Sequence, residues 1–260
     1  MRIGILGGTG PAGKALAARL ASVGYDVVVG SRSKYRAMEV VDRLLGQWPD
    51  RSLTIGAADN AHAADADVVV IATPWDGATQ TAVSVEHQLR GKVVVSMANA
   101  LTKIGKEFQP LVPPRGSVAA SVQAAVPLCK VAAALHHVPA KELGDLRHPI
   151  ESDVLICSDH ESAVEVTSDI VAKIPNMRPL NAGELAMATP IESFTAVLLQ
   201  LNMHYKTRVA VRLTGIPDDD PGDASTAVTD GAAAGASSSG GKGNGTRRRP
   251  KADAPAEPAP

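Results

Sequence analysis

The chain has 260 residues, 45% of them hydrophobic, and a formal net charge of −1. That balance describes a soluble globular protein without electrostatic bias toward nucleic acid or a membrane surface, so the expected partners are small molecules. No apolar stretch approaches the ~20 residues of a membrane span, the opening run Met1–Leu6 is too short for a signal peptide, and the expected location is the cytoplasm.

The first apolar strand, Ile3–Gly7, runs directly into Gly8-Thr9-Gly10-Pro11-Ala12-Gly13. After a strand and before a helix, this spacing suits a dinucleotide. Gly8 allows a tight turn, Gly10 lets the backbone approach a pyrophosphate, and Gly13 permits close helix–strand packing, with helix N–H groups facing the anion. Pro11 falls in the first helical turn, where an N–H is dispensable. An ordinary glycine-rich loop is the bland alternative. The preceding strand, the helical pattern Lys14–Leu20 and the helix-ending Gly24 favour the nucleotide.

About 20 residues on, an NAD-preferring domain carries an acid at the tip of its second strand. Here Val27–Gly30 is followed by Ser31-Arg32-Ser33-Lys34-Tyr35-Arg36, with no carboxylate. A hydroxyl with Arg32 and Arg36 suits a 2′-phosphate, which a guanidinium grips and a carboxylate repels. The expected cofactor is therefore NADP, while Lys34 reads as a solvated helix residue.

Further apolar strands are expected at Leu53–Gly56, Val68–Ala72, Val93–Ser96 and Val131–Leu135, with helices over Pro11–Val23, Lys34–Leu45, Ala78–Leu89 and Ser117–Val126. Strands this apolar are covered on both faces, which predicts an α/β fold with a Rossmann-type doubly wound parallel sheet. Asn60 reads as the cap of a short helix that leaves His62 on the surface without a role. Cys129 and Cys157 read as small buried residues in a reducing compartment, with no metal-ligand spacing.

Three parts are expected: an NADP-binding domain over 1–150, a small C-terminal α/β domain over 151–216, and a disordered tail over 217–260. The small domain opens with a strand at Asp153–Cys157 and a helix over Glu161–Ile174, and closes with a helix after Pro190. That last helix carries the stripe Phe194, Val197, Leu198, Leu201 and Tyr205, for packing against the first domain or a second subunit, hence a homodimer. The tail is rich in Ala, Gly, Ser and Pro and lacks aromatic residues.

Ligands of an open parallel sheet bind beyond its strand C-termini. The loops there are Gly8–Ala12, Ser31–Arg32, Thr73–Asp76, Ser96–Ala100 and His136–Pro139. Trp75 can pack on a ring or anchor structure. In an extended segment His136 and His137 point to opposite faces, so one of them lines the crevice. Lacking a nucleophile triad, a carboxylate pair and a metal set, this inventory fits hydride transfer, which mainly needs two rings held in contact.

Several pieces together resemble the NADPH-dependent coenzyme F420 reductases, also called F420-dependent NADP oxidoreductases. They are Ile5–Gly10, Val28–Arg32, Pro74-Trp75, Ala134–Ala140, Arg178–Gly183 and Ile191–Ser193, spanning nearly all of residues 1–216. The segment Ser96–Leu101 and the tail depart from the archaeal pattern. The resemblance implies hydride transfer between NADP(H) and the deazaflavin coenzyme F420. It implies that Thr9–Ala12, Ser31, Arg32 and Arg36 hold NADP, that Trp75, Thr79 and Ala98 border it, and that catalytic His136 and Val138 lie near the deazaflavin. Two alternatives are an NADP-dependent reductase of an imine, ketone or hydroxy acid, and a non-catalytic NADP-sensing regulator. The first commonly needs a Lys or Tyr proton donor and a longer second domain than the roughly 65 residues here. The fold does not exclude the second.

Overall fold

Segments such as Val68–Ile71 and Val93–Ser96 are buried throughout, which only a sheet covered on both faces allows. The computed structural model, which describes residues 1–217, builds that sheet. In chain order the elements begin with β1 (Arg2–Leu6), α1 (Pro11–Ser22), β2 (Asp26–Ser31), α2 (Lys34–Gln47), β3 (Ile55–Asp59) and α3 (Asn60–Ala63). Next come β4 (Val68–Ile71), α4 (Trp75–Ser84), α5 (Glu86–Leu89), β5 (Val93–Ser96), β6 (Leu101–Ile104) and β7 (Glu107–Pro110). The rest are α6 (Val118–Ala125), β8 (Lys130–Ala133), α7 (Ala140–Leu143), β9 (Ser152–Ile156), α8 (Glu161–Ala172), β10 (Met177–Asn181), a 3-10 turn over Leu185–Met187, and α9 (Ala188–Tyr205). No helix among the described residues is long and apolar enough to cross a membrane.

Six strands pair in parallel in the order β3-β2-β1-β4-β5-β8. Because successive side chains alternate, Ile3, Ile5, Val27, Val29, Val68 and Val70 enter one layer with Leu16, Val41 and Ile170. Leu6, Val69, Ile71, Val94 and Val131 enter the other with Ala78, Ala82 and Val122. The doubly wound α/β architecture is the one expected. Beyond β8, an antiparallel bridge from Ala133 to Cys157 attaches the parallel pair β9–β10, which with α8 and α9 forms a small C-terminal α/β part.

A buried carboxylate knits that part together. Asp153 is fully buried and accepts two hydrogen bonds from Arg178, at 2.9 and 2.8 Å, and one from Leu213 N–H at 2.6 Å. Burial alone would push its carboxyl up, but Arg178, the Leu213 N–H and Arg212 together hold it below the ordinary value.

Several local expectations shift. Strand β3 starts at Ile55 and runs to Asp59 because its partner β2 offers a ladder from Val27 to Ser31, which local hydropathy does not reveal. Asp59, not Asn60, caps α3 by accepting from His62 N–H at 2.9 Å. His62 is exposed and its ring meets Asp59 at 2.8 Å. Helix α4 begins at Trp75, directly after Pro74, and Val85 separates it from α5. Residues 101–110, read as no element, form the hairpin β6–β7 around Gly105-Lys106, with Gly105 at φ +61° as a two-residue hairpin loop requires. On α9 the buried face is Ile191, Glu192, Thr195, Ala196 and Leu198, while Phe194, Val197, Leu201 and Tyr205 are exposed. The expected disordered tail lies outside the described residues, except for Pro217.

Candidate functional site

The glycine turn is anchored between β1 and β2. Gly8 N–H donates to Gly30 O at 2.9 Å, and Gly7 rather than Gly8 takes the left-handed φ of +68°. A Cβ on Gly13 would stand 2.7 Å from Gly8 Cα, so the start of α1 packs against the turn only because residue 13 is glycine. Gly10 is the N-cap of α1 with no side-chain cap, and Pro11 occupies the first helical turn. The first-turn N–H groups of Ala12 and Gly13 have no acceptor within the helix, which leaves donors for an anion there. Asn60, read in the sequence as a helix cap, instead supports the turn by accepting from Gly7 N–H at 3.4 Å. Its signal was a polar side chain beside the strand tips.

At the tip of β2, Ser31 is buried and its hydroxyl accepts from Ser33 N–H at 3.3 Å. Ser33 caps α2 by accepting from Arg36 N–H. Arg32 and Arg36 are both exposed, and neither guanidinium has a hydrogen-bond or ion-pair partner among the described residues. The carboxylate in register with Ser31, Asp59, is committed to His62 and the start of α3. The tip is thus a cationic site whose nearest acid is already engaged.

Trp75 and Thr79 line a groove of about 450 Å³ between α4 and α6, with Pro113, Pro114, Arg115 and Val118. Trp75 is 36% exposed there. Ala98 is buried in the segment leaving β5, and Val138 in the turn leaving β8.

That turn corrects the picture of an extended histidine pair. Strand β8 stops at Ala133, Leu135 adopts φ +64°, and both His136 and His137 are buried, in a T-shaped contact with ring centroids 5.2 Å apart. His137 Nε2 lies 3.0 Å from Asp153 O and 3.4 Å from Leu155 N, which makes it a structural link to β9. Both ring nitrogens of His136 lack a hydrogen-bond partner, as do the buried hydroxyls of Thr73 and Ser96. Unsatisfied buried polar atoms are costly, and these three residues lie together at the exits of the adjacent strands β4, β5 and β8. Burial, and then the neighbouring His137, push the His136 ring down to about 3. It is therefore neutral at physiological pH.

One buried acid braces the wall of the groove. Glu192 of α9 accepts from Val118 N–H at 2.9 Å and Ala119 N–H at 3.1 Å at the start of α6, which Ser117 caps by accepting from Ala120 N–H at 3.0 Å. Burial pushes its carboxyl from 4.5 up to about 7 against the pull of those N–H groups. Between these values the folded chain keeps a proton that the unfolded chain has released. This contribution to stability is full below pH 4.5 and lost as pH rises to about 7. Relative to Glu192→Gln, which does not titrate, the natural chain should lose about 3 kcal/mol across that window, measured by denaturant unfolding at each pH. A constant difference between the two proteins from pH 4.5 to 8 would contradict the assignment. Cys157 does not interfere, because burial, then Glu192 and Asp159, hold its thiol near 12.

Residues 2–100 match the family described as NADP oxidoreductase coenzyme F420-dependent. The chain is 36% identical over 222 residues to the F420-dependent NADP reductase of Methanocaldococcus jannaschii, covering 83% of this chain and 99% of that protein. It is 33% identical to the F420-dependent NADP reductase of Methanothermobacter marburgensis, covering 84% of this chain and all of the relative. Among solved structures, one from Arthrobacter sp. FB24 described as a candidate F420-dependent NADP reductase superposes with a TM-score of 0.70 at 22% identity, over 82% of this chain and all of that one. An imine reductase from Bacillus cereus superposes with a TM-score of 0.52 at 16% identity, over 79% of this chain and 63% of that one. At such identities the two structures speak for the fold alone. The archaeal relatives reach further, matched along nearly their whole lengths: the chain belongs to the F420-dependent NADP oxidoreductase family.

Proposed function

We propose that this chain transfers a hydride between NADP(H) and the deazaflavin coenzyme F420. The observation that carries the proposal is the row of strand ends. A glycine cradle and two unpaired arginines stand at β1 and β2, and the buried, unpartnered His136 stands at β8 of the same sheet. The two archaeal relatives, each named for this reaction, support it.

In this reading Gly8, Thr9, Gly10, Pro11, Ala12 and Gly13 cradle the pyrophosphate. Ser31, Arg32 and Arg36 take the 2′-phosphate, while Trp75, Thr79 and Ala98 border the nucleotide. His136 and Val138 border the deazaflavin, and the small part over 151–216 completes that pocket beside the NADP-binding domain over 1–150. F420 supplies a ring carbon that accepts a hydride as a pair of electrons. In the reducing direction NADPH, oxidised F420 and one proton give NADP⁺ and reduced F420. The chain must hold two rings in contact at roughly 3–3.5 Å and keep water away from them. A neutral His136 orients the deazaflavin by hydrogen bonding, and the proton comes from solvent.

Replacing His136 by Ala should accordingly slow transfer by about 5- to 30-fold and raise KM for F420, as expected for one lost hydrogen bond. KM for NADPH should stay within a few fold. The pH profile of kcat should show no inflection near 6.5 that this variant removes. Total loss of turnover in folded protein would indicate obligatory acid–base chemistry, and an unchanged rate would remove His136 from the site.

The exposed stripe Phe194, Val197, Leu201 and Tyr205 on α9 supports pairing with a second copy of the chain, since one apolar helix face of this length is costly to leave in water. A sedimentation mass of one chain would refute the dimer. Two free, buried cysteines suit the reducing cytoplasm, where cell fractionation should find the protein.

A further inference from the structure

The segment leaving β5 carries a side chain that joins three parts of the site. Asn99 Nδ2 donates to His136 O at 2.7 Å, and Asn99 Oδ1 accepts from Thr195 Oγ1 of α9 at 3.2 Å. This orientation of the amide is forced. A carbonyl oxygen can only accept, so the NH₂ must face His136 and the amide oxygen is left for the threonine hydroxyl.

The support behind Asn99 is fixed by backbone bonds on both sides. Met97 N–H donates to Ile71 O at 3.2 Å, and Leu111 N–H donates to Ala100 O at 2.8 Å. The turn it grips is tied on either side of His136, by Ala134 N–H to Ser96 O at 3.1 Å and by the His137 ring to Asp153 O at 3.0 Å, but His136 itself is held through its carbonyl by Asn99. Leu135 sits at φ +64°, a conformation unfavourable for an L-residue, and within the turn only the 3.2 Å bond from Val138 N–H to Leu135 O closes the chain. With both ring nitrogens lacking hydrogen-bond partners, the His136 ring is oriented by its backbone and by its T-shaped contact with His137. Thr195 comes from the same face of α9 as Glu192, which grips the start of α6 one turn earlier.

We propose that Asn99 is a positioning residue for hydride transfer: its amide clamps the His136 turn to α9 and so sets the ring that faces the deazaflavin. The proposal rests on the placement of His136 given above. Asn99→Asp keeps size and shape but presents an oxygen to the His136 carbonyl, which opens the clamp on that side. Thr195→Val leaves that bond and removes the other.

The test combines amide hydrogen exchange of the full chain with steady-state kinetics on Asn99→Asp, Thr195→Val and His136→Ala, each first shown to bind NADPH normally. In Asn99→Asp, exchange across residues 134–139 should rise at least about tenfold while β1 and β4 stay protected. Turnover of F420 should fall by about 10- to 100-fold with KM for NADPH within about twofold, and Thr195→Val should lose a smaller factor of about 2 to 5. Unchanged exchange at 134–139 overturns the clamp, whatever the rates. Faster exchange with normal F420 turnover overturns the positioning role; if His136→Ala is nonetheless slow, the histidine assignment survives, and if it too is normal, both fall.

Discussion

Replacing Arg32 by Ala should weaken NADP binding by about 10- to 150-fold and leave NAD binding within about twofold. The magnitude is that of one charge-assisted hydrogen bond to a phosphate, roughly 1.5–3 kcal/mol. The selectivity follows from the surroundings. Arg32 has no partner among the described residues, Ser31 beside it is buried at the strand tip, and Asp59 is held by His62. Removal of the guanidinium therefore frees no internal acid to repel the ligand and breaks no ion pair. Isothermal titration with both nucleotides reads the effect, and an equal fall for NADP and NAD would sink the 2′-phosphate assignment.

The second large effect is on stability. Asp153→Ala should cost about 3–5 kcal/mol, because it removes a fully buried carboxylate from the half-buried Arg178 that pairs with it bidentately and leaves Leu213 N–H without its acceptor. For a domain of this size the melting temperature should drop by about 10 °C. The carboxylate holds β9 to β10 and to the segment around Leu213, and the carbonyl of the same residue receives His137, so the loss is centred on the C-terminal part. Chemical denaturation of both proteins measures it. A cost under about 1 kcal/mol would mean that the pair only offsets its own desolvation.

What could be read from the sequence was whatever short-range chemistry dictates. A glycine turn between strand and helix, a β2 tip with arginines in place of an acid, and strands apolar on both faces each carry their reason within a few residues, and all stand in the structure. The rest depends on partners distant in the chain. Leu135 turns left-handed in a segment whose composition reads as extended. Asn99 acquires meaning only through His136 and Thr195, 37 and 96 residues away. Glu192 acquires its role only from the start of α6, where it accepts from the Val118 and Ala119 N–H groups, 74 and 73 residues away. The hairpin β6–β7 was marked by Gly105 but lacked strong alternation, since most of its residues are exposed.

The fold by itself is shared with enzymes that reduce other substrates, as the superposition with an imine reductase illustrates, and it is equally open to a protein that only senses NADP. Those readings separate from the proposed one in a single reaction. Purified protein mixed with NADPH carrying deuterium at the transferred position and with oxidised F420 should bleach the deazaflavin absorbance catalytically. The deuterium should arrive on the deazaflavin carbon without washing into water, because no group of the chain stores a hydride. Intact NADPH binding with no turnover of F420 in either direction, or label lost to solvent during turnover, would contradict direct hydride transfer between the two rings.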